Sequence, residues 1–233
     1  MNLNGKYAIV TGVSKGIGKA VSELLLEKGV MVFGFGRKAP DFAQPNFHFI
    51  ETDVTNFNDF SQSFNKAMLV SNGQIDILVN NAGLGYFGFL EETTLEQWHE
   101  MHNTNVDGVF YGCKLVLPIM KKQLKGHIIN IASIAALEGM PQVAGYCSTK
   151  WAVKGLSESL FKEVRDFRIK VTCIYPGSVK TDFFRNSASI KPHDYMLMPE
   201  DVATAIVQAL EMPDNFHTVN VEIRPLQPKG PVK

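Results

Sequence analysis

The sequence predicts an α/β fold in which a doubly wound parallel sheet of about seven strands is covered by helices on both faces. Short β-branched apolar runs alternate with longer segments of helical periodicity along the chain. The first apolar run leads into a glycine-rich turn that opens a helix. No Pro/Ser-rich linker, repeat or low-complexity segment interrupts this alternation, so residues 1–233 are expected to form a single domain.

The predicted strands are short, apolar and separated by helical or turn segments. They cover residues 7–11, 30–35, 47–51, 75–80, 127–133, 170–175 and 219–223. The predicted helices carry apolar residues three and four positions apart, which places those residues on one face. They cover residues 16–28, 58–71, 95–101, 106–122, 143–167 and 199–211. Only the tail, residues 225–233, is expected to be unstructured.

The composition excludes several classes of partner. Lys plus Arg equals Asp plus Glu at 23 each, so no long-range field favours nucleic acid or an anionic membrane. The chain has no apolar run of membrane-spanning length and no signal-like N-terminus. Cys113, Cys147 and Cys173 lie far apart among apolar residues and are interpreted as buried thiols. A cytoplasmic protein is therefore expected. His99 and His102 lack the spacing of two helical zinc ligands, so no metal site is expected.

The turn after the first predicted strand reads Thr11-Gly12-Val13-Ser14-Lys15-Gly16-Ile17-Gly18. Its glycines let the backbone approach a phosphate, and the helix N-terminus that follows offers free N–H groups and partial positive charge. The residues expected to hold a dinucleotide pyrophosphate are Gly12, Ser14, Lys15, Gly16, Ile17 and Gly18. The Gly-x-x-x-Gly-x-Gly spacing differs from the common Gly-x-Gly-x-x-Gly fingerprint, so a glycine turn without a ligand is an alternative at this point.

The end of the second predicted strand indicates which dinucleotide binds. Folds that bind NAD usually place an acidic residue about 20 residues beyond the glycine turn, where it holds the ribose 2′-hydroxyl. Here the segment Phe33-Gly34-Phe35-Gly36-Arg37-Lys38 has no carboxylate. Arg37 and Lys38, with Lys15, match a 2′-phosphate, because a guanidinium clamps it with charge-assisted hydrogen bonds. The prediction is NADP(H), with NAD(H) less favoured; the alternative is that both cations solvate a loop.

Tyr146 and Lys150 lie four residues apart in the long helix predicted over residues 143–167, so their side chains share one face. A chance Tyr-x-x-x-Lys is expected in roughly half of chains with this composition, so the pair alone indicates little. Ser133 ends the preceding apolar strand, and open parallel sheets bind ligands at the carboxyl ends of strands. The sequence therefore predicts that Ser133, Tyr146 and Lys150 converge in one site.

Taken together, these motifs resemble those of the short-chain dehydrogenase/reductase family over essentially the whole chain. The likeness rests on the order and spacing of motifs rather than on any one of them. The motifs are Thr11-Gly12 to Gly18, Asp53-Val54, Asn80-Asn81-Ala82-Gly83, Asn105, Ser133, Tyr146 with Lys150, and Pro176-Gly177 followed by Thr181. The resemblance implies a Rossmann-type fold and a ketoreductase, similar to 3-oxoacyl reductases, that interconverts a ketone and a secondary alcohol with NADP(H).

The resemblance also implies the catalytic roles. Tyr146 would be the general acid for ketone reduction and the base for alcohol oxidation. A free tyrosine titrates near 10, so Lys150 and the oxidised cofactor are expected to lower the pKa of Tyr146 towards neutrality. Ser133 would hydrogen-bond the substrate oxygen, where negative charge develops. Asn105 would hold a water that connects Lys150 to solvent.

Besides the glycine turn, the resemblance assigns to the cofactor Asp53, Val54, Asn80, Ala82, Gly83, Tyr146, Lys150, Pro176, Gly177, Val179 and Thr181. The Asp53 carboxylate would accept from the adenine amine, and the backbone of residues 82–83 would pass close to the adenine ribose. Asn80 would mainly brace the sheet, and Asn81 is interpreted as a turn residue. Val179 and Thr181 would bond the nicotinamide carboxamide and so orient the ring.

The sequence determines the substrate less well. Residues 182–198 are expected to form a substrate lid, with Phe183 and Phe184 as apolar walls and Arg185 as an anion contact. Such a pocket suits a 3-oxo acyl group, a 3-oxo acid or a small aryl or alkyl ketone. Family members commonly pair their two long helices, so a homodimer or homotetramer is expected. The alternative function is a non-catalytic NADPH-binding sensor or scaffold.

Overall fold

The computed structural model describes residues 1–186 and 192–228, without the side chains of Arg185 and Asn186. Residues 187–191 of the predicted lid and residues 229–233 of the predicted tail therefore lie outside the described residues. The strands are β1 (Tyr7–Thr11), β2 (Met31–Gly36), β3 (Phe47–Glu51), β4 (Ile77–Asn80), β5 (Gly126–Ile131), β6 (Ile169–Pro176) and β7 (Asn220–Ile223). They form one parallel sheet in the order β3-β2-β1-β4-β5-β6-β7, which confirms the predicted fold class.

Each predicted helix is present, with ends that differ by a few residues from the prediction. The helices are α1 (Gly16–Glu27), α2 (Phe57–Val70), α3 (Leu95–His102), α4 (Gly108–Gln123), α5 (Ala144–Val164) and α6 (Pro199–Glu211). A π-helical turn, Asn103–Asp107, joins α3 to α4 where the sequence predicts a gap. None of the helices within residues 1–186 and 192–228 combines the length and apolar composition needed to cross a membrane.

Helices cover both faces of the sheet because neighbouring strand residues point to opposite faces. In β1, Ile9 packs in the core formed with α2, α4 and α5. Its neighbours Ala8 and Val10 pack in the other core, together with α1 and α6. Each of these three residues is 0% exposed, which explains why the strand is a continuous apolar run rather than an alternating one.

The strand order reverses between β1 and β4, which positions the functional site. β1 pairs with β2 on one side and with β4 on the other, so the connections after β1 and β4 leave the sheet side by side. Crevices at such switch points are where open α/β sheets bind ligands. The Thr11 hydroxyl accepts hydrogen bonds from Asn81 N (3.0 Å) and Ala82 N (3.0 Å), which draws the two connections together.

Candidate active site

Helix α5 presents Tyr146 and Lys150 on one face, as their spacing predicts. Tyr146 is 8% exposed and Lys150 5%. The Lys150 Nζ donates to Ile131 O at 2.8 Å, and it lies 5.6 Å from the centroid of the Tyr146 ring. The last residue of β5 therefore fixes the position of the ammonium beside the phenol.

The sequence predicted Ser133 as the last residue of the fifth strand. In the structure β5 ends at Ile131, and Ser133 lies two residues beyond it. Its hydroxyl accepts from Ala135 N at 3.2 Å and so caps the short 3-10 turn Ile134–Ala136. A serine at this position ends the strand because its side chain satisfies a backbone N–H of the turn. The Ser133 side chain also lies close enough to the Tyr146 hydroxyl to influence its pKa, so the structure brings the two residues together.

Asn105 occupies the π-helical turn between α3 and α4 and is 0% exposed. Its Oδ1 accepts from Leu84 N at 2.9 Å, and its Nδ2 donates to Leu84 O at 2.8 Å and to Thr149 Oγ1 at 3.0 Å. A Cβ atom on Gly83 would lie 3.3 Å from Asn105 Oδ1 and 3.7 Å from Lys150 Nζ. Asn105 thus holds the loop after β4 beside Lys150.

Burial controls the protonation of this site. It raises the pKa of Tyr146 well above the usual value for tyrosine, and the nearby Ser133 side chain opposes this rise only in part. The predicted lowering of the Tyr146 pKa requires the oxidised cofactor beside Lys150 and stays a prediction. Burial also lowers the pKa of Lys150 to about 8. Both shifts have the same cause, since burial removes water from the charged form of each group.

The glycine-rich turn is packed too closely for side chains. Gly12 and Gly16 have φ values of +74° and +61°, in the left-handed region that favours glycine. A Cβ on Gly12 would lie 2.8 Å from Ala82 Cα, and one on Gly18 would overlap Gly12 O and Asn81 Nδ2. The glycines are thus required by the contact between the two connections at the switch point.

Asn81 has a structural role that the sequence analysis missed. Its Nδ2 donates to Thr11 O at 2.9 Å and to Gly12 O at 3.2 Å. These bonds hold the glycine turn from the neighbouring connection, so Asn81 is more than a turn residue. The motif Asn80-Asn81-Ala82-Gly83 gave no local signal for this role, because the partner of Asn81, Thr11, lies 70 residues away in the chain.

The geometry of the turn fits a dinucleotide phosphate. No side chain caps the first N–H groups of α1 at its N-cap residue, Lys15. Those donors can therefore bind an anion. The end of β2 lies against the turn, since Gly12 N donates to Phe35 O at 2.7 Å. Arg37 and Lys38 directly follow β2 and are exposed, and neither forms an ion pair within the described residues. Lys15 pairs with Asp182 at 2.7 Å.

The predicted adenine contacts differ in how accessible they are. One oxygen of the half-buried Asp53 carboxylate accepts from Thr55 N at 2.9 Å and Thr55 Oγ1 at 2.8 Å. Val54 is buried near the first residue of α4. Asn80 is 2% exposed and donates to Asn130 Oδ1 at 2.8 Å, so it braces the sheet and does not lie open at its edge.

The segment after β6 also reaches the glycine turn. Pro176 is the last residue of β6, and Gly177 N donates to Ile223 O at 2.7 Å, which anchors the segment to β7. Val179 is buried and pairs with Leu197 in a parallel bridge. A Cβ on Gly16 would lie 3.2 Å from Thr181 Cγ2. The predicted nicotinamide residues therefore lie beside the predicted phosphate residues.

Aromatic side chains pack against Tyr146. Phe183, a predicted pocket wall, has its ring centroid 5.4 Å from that of Tyr146. Phe87, which the sequence analysis did not single out, lies 6.2 Å away, and Phe184 lies 5.8 Å from Phe87. The predicted anion contact Arg185 has a side chain outside the described part of the molecule.

The cysteine thiols and the possible metal ligands lie apart from one another. All three cysteines are free and buried, as predicted. Within residues 1–186 and 192–228, no group of three or more His, Cys, Asp or Glu side chains is arranged to hold a metal ion.

Comparison with known proteins places this geometry in a family. The profile described as short chain dehydrogenase matches residues 6–191. An uncharacterized oxidoreductase of Staphylococcus haemolyticus is 36% identical over 235 residues, covering 96% of this chain and 99% of the relative. The 3-ketodihydrosphingosine reductase of Bacteroides thetaiotaomicron is 40% identical over 178 residues, covering 76% of this chain and 65% of the relative. An alcohol dehydrogenase from Thermococcus sibiricus, complexed with 5-hydroxy-NADP, superposes with a TM-score of 0.87 at 29% identity, covering 98% and 99% of the two chains.

Proposed function

This chain belongs to the short-chain dehydrogenase family, and we propose that it is an NADP(H)-dependent oxidoreductase that interconverts a ketone and a secondary alcohol. The observation that carries the proposal is the convergence of Tyr146, Lys150, Ser133 and Asn105 beside the glycine turn, at the carboxyl edge of the sheet. The ketone substrates that we propose are 3-oxo acyl groups, 3-oxo acids and small aryl or alkyl ketones.

The bound cofactor would supply or accept the hydride, and the protein would manage the proton. The raised pKa keeps the Tyr146 phenol protonated at neutral pH, so it can donate a proton to the carbonyl oxygen. The Ser133 hydroxyl, already beside Tyr146, would donate a hydrogen bond to the same oxygen. The Lys150 ammonium would stabilise the phenolate left behind. Asn105 positions the loop beside Lys150, and its predicted water relay is part of the proposal.

The preference for NADP(H) follows from charge. Arg37 and Lys38 are exposed at the end of β2, which lies against the glycine turn, and they provide cations for a 2′-phosphate. The superposed alcohol dehydrogenase, which was solved with an NADP derivative, supports this choice. The cofactor residues proposed from the sequence are retained, with Asn80 acting through the sheet rather than by contact.

Replacing Arg37 with Ala should weaken NADPH binding roughly 10- to 100-fold and leave NADH binding nearly unchanged. The reason is the loss of charge-assisted hydrogen bonds to the 2′-phosphate, each contributing about 1.5–3 kcal/mol. Isothermal titration calorimetry with both dinucleotides measures the two dissociation constants. Arg165→Ala, on the turn that precedes β6 at the opposite edge of the sheet, is the matched control. Equal losses for NADPH and NADH would contradict the assignment of Arg37.

The function as a whole is tested by following NADPH oxidation at 340 nm with small ketones, aryl ketones, 3-oxo esters and 3-oxo acids, with NADH as the comparison cofactor. Turnover with NADPH on at least one carbonyl is the expected result. Tight NADPH binding without turnover on any carbonyl would instead support the non-catalytic sensor or scaffold.

The kcat/KM of ketone reduction should fall above a pH of about 8, by roughly tenfold for each further pH unit. Burial lowers the pKa of Lys150 to about 8, so its ammonium is present below that pH and lost above it. Tyr146 does not set this limb, because burial raises its pKa and it stays protonated across the range. Profiles of kcat/KM from pH about 6.5 to about 9.5 measure the effect. A profile that stays flat through this range would contradict the role of Lys150.

We further propose a homodimer or homotetramer formed through α4 and α5, acting in the cytoplasm. Phe110 on α4 and Trp151 on α5 are 46% and 45% exposed, and the two helices line a surface groove. Exposed apolar side chains on neighbouring helices favour burial against a second copy. The three free, buried thiols support a reducing compartment.

A further inference from the structure

Three phenylalanine rings form a cluster over the Tyr146 side chain. The centroid of Phe183 lies 5.4 Å from that of Tyr146, and the centroid of Phe87 lies 6.2 Å from it. Phe87 and Phe183 meet edge to face at 5.9 Å. Phe184 completes the cluster at 5.8 Å from Phe87 and 5.6 Å from Phe183. The space next to the phenol is therefore bounded by ring surfaces.

Phe87 is the anchored member of this ring cluster. Its loop is held on one side by Leu84 N, which donates to Asn105 Oδ1 at 2.9 Å. On the other side Gly88 N donates to Gln142 O at 2.8 Å. A Cβ on the intervening Gly85 would lie 3.0 Å from Phe183 Cζ and 3.2 Å from Phe87 Cζ. The loop backbone thus lies directly against both rings and keeps Phe87 in place.

The acidic side chains next to the ring cluster are already bonded to neighbouring groups. Tyr86, next to Phe87 in the chain, donates its hydroxyl to the Glu100 carboxylate at 2.5 Å. Asp182, next to Phe183, binds the Lys15 ammonium at 2.7 Å. Both carboxylates therefore have partners, and the surface that the cluster itself offers to a substrate consists of aromatic rings. A neutral, apolar substituent fits these surroundings.

We propose that the substrate is a ketone with a flat aromatic group bonded directly to its carbonyl carbon, and that Phe87 selects for this group. This inference rests on the proposed function, since it concerns the substrate of Tyr146. The aromatic group binds among Phe87, Phe184 and Tyr146, in the space that the Phe183 ring fills in this structure.

The size and shape of the space that the Phe183 ring fills favour an aromatic group. A carbonyl oxygen that accepts a proton from the Tyr146 hydroxyl brings its substituent into the ring cluster. A group with the size and polarity of the Phe183 ring replaces that ring with the least loss of contact. Aromatic pairs also gain from edge-to-face and offset geometries at centroid separations of about 4.5–7 Å, which a saturated ring of the same size does not.

The test compares acetophenone with cyclohexyl methyl ketone, which differ in the aromaticity of one six-membered ring. The wild-type protein with NADPH should have the lower KM for acetophenone. Phe87→Leu should raise that KM roughly 3- to 10-fold and change the KM for the cyclohexyl ketone less than about twofold, with kcat nearly constant for both. A purely structural role would change both substrates alike.

The control is Phe89→Leu, because Phe89 lies two residues along the same loop and is 50% exposed. It should leave both KM values unchanged. Equal KM values in the wild type, or an unchanged ratio in Phe87→Leu, would overturn the inference. If Phe87→Leu does not fold by thermal melting, Phe87→Met, which also removes the aromatic ring, is measured in its place with the same expected results. If neither ketone is reduced, calorimetric binding of 1-phenylethanol against 1-cyclohexylethanol in the presence of NADP+ decides the inference, and the wider panel of carbonyls decides the proposed function separately.

Discussion

Tyr146→Phe is expected to lower kcat for ketone reduction roughly 10²- to 10⁴-fold, while NADPH binding weakens only by the loss of one hydrogen bond, roughly 2- to 10-fold. The substitution removes only the hydroxyl, which is the proton donor in the proposed reaction. The ring keeps its packing against Phe87 and Phe183, so the pocket retains its shape. Steady-state assays of NADPH oxidation measure kcat, and calorimetry measures the cofactor dissociation constant.

The matched control is Tyr175→Phe, which also removes a hydroxyl from a buried tyrosine. Tyr175 is 1% exposed, and its hydroxyl donates to Asn220 Oδ1 at 2.9 Å, between β6 and β7. This variant should lose about 0.5–1.5 kcal/mol of unfolding free energy for one hydrogen bond and keep its kcat. A Tyr146→Phe protein that reduces ketones at the wild-type rate would show that another group donates the proton.

Gly18→Ala is expected to weaken NADPH binding roughly 10- to 100-fold and to lower the free energy of unfolding by about 1–3 kcal/mol. A methyl group on Gly18 would overlap Gly12 O and Asn81 Nδ2. Neither atom can move freely, because Asn81 Nδ2 also bonds Thr11 O at 2.9 Å and the turn backbone is packed against Ala82. The turn must therefore shift, and its N–H groups lose their alignment. Urea unfolding and calorimetry measure the two effects.

Gly155→Ala separates this steric effect from the general effect of replacing glycine in a helix. Gly155 is exposed on α5, and no atom lies within 4 Å of the position that its Cβ would take. Alanine there should raise the unfolding free energy by about 0.5–1 kcal/mol, because it reduces the entropy lost on helix formation. Similar results for the two variants would show that the contact at Gly18 has no special cost.

The fold follows from short-range features that are visible in the sequence. The inner strands and β2 are buried on both faces, so each reads as an apolar run such as Ala8-Ile9-Val10, whereas the edge strands β3 and β7 are partly exposed. Each helix reads as a periodic segment. The ends of elements were less certain, because single hydrogen bonds decide them. Ser133 shows this, since it was predicted within the strand but its hydroxyl instead accepts from Ala135 N and caps the turn that follows β5. The π-helical turn at Asn105 has no sequence pattern of its own.

The sequence by itself determined the alternation of strands and helices, the glycine turn, and the shared face of Tyr146 and Lys150, because each depends on residues near one another in the chain. Only the tertiary structure decided the bracing of Gly12 by Asn81, the raised pKa of Tyr146, and the packing of Phe87 beside it. These depend on contacts between distant segments and on the exclusion of water, and neither is encoded in local spacing.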